Sequence, residues 1–171
     1  DLDISADLFE LAQGNCTVIC SGPKAILDVP KTIEILEALG VSVVAYKQDE
    51  VPSFWSRSST AMATVKANSV DEIVEMHNLK QQLNTTGCQL VVNPAPEQFE
   101  IKRDKIEPII ERSIEIMQKK NIRGKEITPF LLNQIAKDSN GMSLETNIAL
   151  IKSNAALASK IAKKACKKIN S

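Results

Sequence analysis

Three groups of side chains stand where chemistry is possible. Lys24 lies four residues beyond the β-rich run Cys16-Thr17-Val18-Ile19-Cys20, across the turn signal Ser21-Gly22-Pro23. This puts it in the loop at the carboxyl end of a central strand, the edge where open parallel sheets hold ligands. A lysine beside an apolar sheet loses its proton readily, because burial disfavours the charged form. Neutral lysine is a nucleophile toward sugar or keto carbons. A solvated loop lysine is the plain alternative. Asp3 and Asp7 are four apart with Ser5 between them, in a stretch, 1–14, that holds four acids and no base. Hard cations such as Mg²⁺ or Mn²⁺ bind through a few carboxylates plus waters. Capping by Ser5 and macrodipole complementarity at Asp7 explain the same residues. Asn147 and Asn154 are seven apart, so they share a helical face two turns apart. They are either ligand contacts or buried amides that satisfy a neighbouring loop.

Other chemistries lose support by residue type. The sole histidine, His77, falls inside a helical pattern with no motif around it, so it reads as a surface or capping residue. The four cysteines, Cys16, Cys20, Cys88 and Cys166, form no Cys-x-x-Cys pair and read as buried free thiols in a reducing compartment. Asp49-Glu50 and Ser56-Arg57-Ser58-Ser59-Thr60 make an arginine-bearing polar segment, either an anion contact or a surface loop. Asn93-Pro94-Ala95-Pro96-Glu97 closes another strand and points to the same sheet edge as Lys24. Neither a Gly-x-Gly-x-x-Gly nor a Walker sequence occurs, so nucleotide cofactors have no support.

The elements that must position these residues follow from periodicity and punctuation. A short helix is expected over 5–12, with Ser5 as cap and Gly14 as stop. The run 16–20 reads as a strand buried on both faces. A helix over 30–39 opens on Pro30, and a strand follows over 41–46. Residues 48–60 read as polar and turn-rich apart from Phe54 and Trp55. Ser69 caps a helix carrying Val70, Ile73, Val74, His77 and Leu83, and 88–92 is a third strand. Helices are expected over 104–120, from Thr128-Pro129, and over 143–168. In the last, Leu144, Ile148, Ile151, Ala155, Ala158 and Ala162 recur at helical spacing and form the expected buried stripe. Strand–helix alternation predicts an α/β fold with a mainly parallel sheet flanked by helices.

The assembled motifs resemble the pseudouridine-5′-phosphate glycosidase (pseudouridylate synthase) family. The matching stretches begin with Asp3-Ile4-Ser5-Ala6-Asp7-Leu8 and the run from Thr17 through Ser21-Gly22-Pro23-Lys24 to Asp28. Leu36-Glu37-Ala38-Leu39-Gly40-Val41, Asp49-Glu50-Val51-Pro52-Ser53-Phe54 and Asn93-Pro94-Ala95-Pro96-Glu97 follow. Gly124 through Leu132, Gly141 through Asn147-Ile148, and Asn154-Ala155 complete the set. The resemblance implies reversible cleavage of the C–C glycosidic bond of pseudouridine 5′-phosphate, giving uracil and ribose 5-phosphate. It implies Lys24 as the nucleophile at C1′, forming a covalent ring-opened adduct, and Asn147 as a catalytic assistant at the sugar. It further implies Asp3 as a Mn²⁺ ligand, Ser5, Ala6 and Asp7 as substrate contacts, and a homotrimer. Pro23 departs from the small or aliphatic residue usual before the lysine. Asn140 departs from a usual glycine pair.

The resemblance also sets expectations about extent. Family members carry a further half before the Asp-Ile-Ser-Ala-Asp motif, including a glutamate general acid, so residues 1–171 are expected to be the C-terminal portion of a single domain. The fold would then be incomplete without the N-terminal half, leave an exposed apolar sheet edge, and give a poorly active piece that tends to associate. Composition agrees with one modified nucleotide as partner rather than a polymer. Lysine plus arginine and aspartate plus glutamate each number 21, so no nucleic-acid footprint is present. Apolar runs fall far short of the roughly 20 residues a bilayer requires, so no membrane partner and a cytoplasmic setting are expected. Two rival readings stand beside this one: a Schiff-base lyase on another sugar phosphate, and a non-catalytic truncated remnant that binds ligand or joins full-length subunits.

Overall fold

The structure, a computed structural model, describes residues 7–24 and 28–169. Four strands are present among them, β1 (Thr17–Cys20), β2 (Ser42–Tyr46), β3 (Val65–Ala67) and β4 (Gln89–Val92). They pair in the order β1-β4-β2-β3, every pair parallel. Six α-helices flank them: α1 (Asp7–Gln13), α2 (Val29–Ala38), α3 (Val70–Gln82), α4 (Arg103–Lys119), α5 (Ile127–Asp138) and α6 (Met142–Ile169). The α/β expectation holds.

The middle of the sheet is legible in residue type. β4 reads Gln-Leu-Val-Val and is buried throughout, as a parallel strand covered on both faces must be. Leu90, Val92, Val43 and Ala45 face Ile33 and Leu36 of α2 and Leu8 of α1. Val91 and Val44 face Ile73 and Val74 of α3 and Leu157 and Ile161 of α6. A third cluster joins Trp55, Ile106, Ile110, Leu131 and Ile135 beside the sheet, where α4 and α5 pack together.

Local signals explain the starts of the helices. Asp28 caps α2 by accepting from the Lys31 amide at 3.1 Å, with Pro30 in the first turn. Ser69 caps α3 by accepting from the Glu72 amide at 3.2 Å, and Glu72 reaches back to the Asn68 amide at 2.9 Å.

Several expectations are corrected. β1 is not a central strand buried on both faces: it lies at the sheet edge, and all four of its residues are half-buried. The thiols are not uniformly buried, since Cys16 and Cys166 are exposed and Cys20 is half-buried, leaving only Cys88 in the core. Residues 51–60 are not a surface loop. Val51, Trp55 and Ser56 are almost fully enclosed, and Ser53 and Ser59 are buried with them. On α6 the buried face is Ser143, Thr146, Leu150, Leu157 and Ile161, and the expected stripe at Leu144, Ile148 and Ile151 is exposed. Polar anchors turn the helix this way. Trp55 Nε1 donates to the Ser143 carbonyl at 3.2 Å, and Thr146 Oγ1 donates to the Phe99 carbonyl at 2.6 Å.

Candidate functional site

Because all strands are parallel, the loops after β1 and β4 open onto one edge, and there the polar side chains converge. Asn93, the residue after β4, donates its amide to the Cys20 carbonyl at 2.7 Å. Its Nδ2 donates to Asn154 Oδ1 at 2.9 Å and to Ser153 Oγ at 3.0 Å, both on α6. Asn154 Nδ2 in turn donates to Ser21 Oγ, the residue after β1, at 2.9 Å. One amide on the long helix therefore fixes the ends of two strands. Ser21 and Asn93 are both buried, so each unmade bond here would carry a desolvation penalty.

The backbone leading to Lys24 is held just as closely. Gly22 has φ +82°, and a Cβ there would stand 1.8 Å from the Pro52 carbonyl oxygen. Only glycine satisfies both constraints. The Ser21 carbonyl accepts from the Phe54 amide at 3.1 Å, and Phe54 itself takes φ +68°. A side chain that is neither Gly nor Asn in that region is strained and must be held by its surroundings. Phe54 packs edge-on against the enclosed Trp55 at 5.1 Å between ring centroids. Lys24, half-buried, thus follows a strand end clamped by residues 52–54 on one side and by α6 on the other.

Of the residues singled out in the sequence, this edge brings together Lys24, Asn93 and Asn154. Asn147 lies seven residues earlier on α6, about 10 Å along the helix axis. Its Oδ1 is buried and has no hydrogen-bond partner among the described residues. An orphaned buried acceptor is costly and is a natural contact for a donor brought by a ligand. Asp7 opens α1, near whose far end the Leu11 carbonyl accepts from the Cys88 amide at 2.7 Å. Asp3, Ser5 and Ala6 lie outside the described residues. Among the described residues no group of three or more His, Cys, Asp or Glu could hold a metal ion.

Two charged residues of the 49–60 segment have structural duties. Arg57 Nη1 donates to the Ala95 carbonyl at 2.7 Å, and its amide donates to Glu100 Oε1 at 2.9 Å. Glu50 accepts from the Ser58 hydroxyl and from the Thr60 amide. The Ser58 hydroxyl is the main cause holding its carboxyl below the usual glutamate range. Glu50 is therefore a fixed carboxylate that folds its loop. His77 is neither surface nor cap: its Nδ1 lies 3.0 Å from Thr17 Oγ1, tying α3 to the edge strand. The sequence reading missed Ser21 and Ser153. Their only signal was position, Ser21 directly after β1 as Asn93 is directly after β4.

Comparison with known proteins places this edge in context. The family model described as "Indigoidine synthase A like protein" matches residues 1–164. A pseudouridine-5′-phosphate glycosidase of Paracoccus denitrificans is 47% identical over 160 residues, 94% of this chain and 53% of that protein. An indigoidine synthase A-like protein of Thermotoga maritima has a crystal structure that superposes with TM-score 0.86 at 35% identity, over 95% of this chain and 54% of that one. The prealnumycin C-glycosynthase AlnA, solved in complex with ribulose 5-phosphate, superposes with TM-score 0.87 at 27% identity, over 96% and 54%. The chain spans about half the length of the relatives it matches.

Proposed function

We propose, since this chain belongs to the indigoidine synthase A-like family, that it supplies the lysine-bearing part of a pseudouridine-5′-phosphate glycosidase. The reaction is reversible cleavage of the C–C glycosidic bond of pseudouridine 5′-phosphate to uracil and ribose 5-phosphate. The observation that carries this reading is the 47% identity, over 94% of the chain, to a relative that bears this activity in its name. The clamped strand end at Ser21-Gly22 and the unpartnered Asn147 acceptor support it.

In this proposal Lys24 Nζ bonds to C1′ of the sugar, and the ring oxygen departs to become a hydroxyl. The amine lone pair then forms a C1′=N iminium as the C1′–C5 bond breaks, the bond's electron pair going to the uracil carbon, which takes a proton. Water releases ribose 5-phosphate and restores the lysine. A C–C bond has no leaving oxygen to protonate, so the lysine lone pair supplies the push that expels the uracil carbon. The Ser21–Asn154–Asn93 lattice keeps Lys24 on the strand edge, and Asn147 Oδ1 accepts from a sugar hydroxyl. Ser5, Ala6 and Asp7 contact the substrate in this reading, and Asp3 would help to hold Mn²⁺. A homotrimer in the cytoplasm completes the proposal. Among the described residues no helix is long and apolar enough to cross a membrane.

Borohydride trapping tests the nucleophile directly. Incubation with ribose 5-phosphate and reductant should attach one reduced sugar phosphate to the peptide carrying Lys24. Lys24→Met should abolish it, and Asn147→Ala should lower its yield about tenfold at unchanged thermal midpoint. An adduct on another lysine, or none, overturns the assignment.

A further inference from the structure

At the amino ends of β1 and β4, opposite the site just described, two cysteines face each other. Cys16 Sγ lies 3.4 Å from Cys88 Sγ, although 72 residues separate them in sequence. They stand directly across the ladder, one step before the partners Thr17 and Gln89. The Gln89 amide donates to the Cys16 carbonyl at 2.9 Å and holds them abreast. Adjacent parallel strands run about 4.8 Å apart, which falls within the Cα separation a disulfide spans. Gly14 confines the second sulfur: a Cβ there would stand 2.5 Å from Cys88 Sγ.

We propose that Cys16 and Cys88 form a site of reversible disulfide formation, oxidised by small-molecule disulfides such as oxidised glutathione. The two thiols have unequal roles. Cys16 is exposed, lining a groove of about 430 Å³ with Thr17, His77 and Ala162, whereas Cys88 is only 2% exposed. The Cys16 thiolate attacks one sulfur of oxidised glutathione, and the first glutathione thiolate leaves. The Cys88 thiolate then attacks the Cys16 sulfur of the mixed disulfide, and the second leaves. Two cysteine thiols become one disulfide, and one oxidised glutathione becomes two reduced. The hydrogen bond with Cys88 and burial raise the Cys16 thiol above its ordinary value, so the reaction quickens toward alkaline pH. Closure requires the sulfurs to approach by about 1.4 Å to reach bonding distance, a rotation of side chains without strand movement. Disulfides in a reducing compartment are transient ones, and this pair has the geometry for one.

The site is independent of the catalytic reading, and the whole 171-residue chain suffices to test it. The reduced protein is incubated in glutathione redox buffer, quenched with acid, alkylated, and mapped without reduction. Two of the four thiols should be lost, with the mass of two hydrogens, and one linked peptide pair should contain Cys16 and Cys88. Dithiothreitol should restore all four. Cys88→Ser should instead retain a single glutathione on Cys16. A stable mixed disulfide on Cys16 beside an alkylatable Cys88 would overturn the proposal. So would a link to Cys166, a covalent dimer, or no reaction at all.

Discussion

At the carboxyl end of the β1–β4 pair, the strands are fastened by amides and hydroxyls that reach across to α6. At the amino end the side chains that meet across the pair are two sulfurs, with a glycine packed against one of them. The first arrangement is directional: each bond joining Asn93, Asn154 and Ser21 has a stated donor and acceptor, so the strand ends that lead to Lys24 are fixed by oriented bonds. The second is not directional, because two thiols in contact form a weak hydrogen bond and little else. One end is built to hold a reacting group still, and the other is built so that its own bonding can change. The same two strands serve both purposes because a parallel sheet gathers its loops of each kind at opposite edges.

The largest test of that contrast compares the two glycines. Gly22→Ala would force an L-residue to φ +82° and into the Pro52 carbonyl oxygen. The backbone alone costs about 1–3 kcal/mol there, and the collision adds more, so a denaturant midpoint should fall steeply. Gly14→Ala meets Cys88 Sγ rather than backbone at its closest contact, an overpacking cost of about 1–3 kcal/mol. That cost should shrink in a Cys88→Ala background, where the sulfur is gone. If Gly14→Ala proved the more damaging change, the carboxyl end would not be the rigid one.

A smaller effect is expected from Asn154→Ala. It strips Ser21 Oγ of a donor and leaves Asn93 Nδ2 with Ser153 alone. Leaving buried groups short of partners costs about 1–3 kcal/mol. A double-mutant cycle with Ser21→Ala should show coupling of about 0.5–3 kcal/mol, as contacting residues do. Additive losses would mean that α6 and the β1 end are not joined as described.

How far the sequence alone reaches is different at the two ends. Lys24, Asn93 and Asn154 were legible because strand-end loops and helical spacing are local patterns. Ser21 was not, since its role depends on an asparagine 133 residues away. The Cys16–Cys88 contact was equally hidden, because register between β1 and β4 is set by tertiary pairing. The strand order was hidden too: hydrophobicity marked β1 as apolar, yet no local signal says whether an apolar strand lies inside or at an edge. β3 escaped notice, being three residues with an exposed lysine at its centre. On α6 apolar spacing chose the face of Leu144, Ile148 and Ile151, which carries no more leucine and isoleucine than the buried face of Leu150, Leu157 and Ile161. The fold chose the face whose Ser143 carbonyl and Thr146 hydroxyl meet partners.

The smallest expected effect concerns Cys20, whose side chain belongs to neither fastening. Burial pushes its thiol from 9.0 up to about 11, with a hydrogen bond from the Gly22 backbone pulling the other way. In the unfolded chain that thiol ionises near 9.0, while in the folded chain it keeps its proton to about 11. Between those values the folded state binds more protons, so stability falls as pH rises and is unaffected well below pH 9. The slope is at most about 1.4 kcal/mol per pH unit, and less at a half-buried edge strand where water screens the charge. The informative quantity is the difference between the parent chain and Cys20→Ala. That difference should be constant from pH 6 to 8 and should narrow above pH 9, as the parent loses an advantage the variant never had. Cys16 shifts in the same direction, so the measurement belongs in a Cys16→Ser background. A difference that stayed constant to pH 10.5 would show that water reaches the Cys20 sulfur and that the β1 edge is looser than its hydrogen bonds imply.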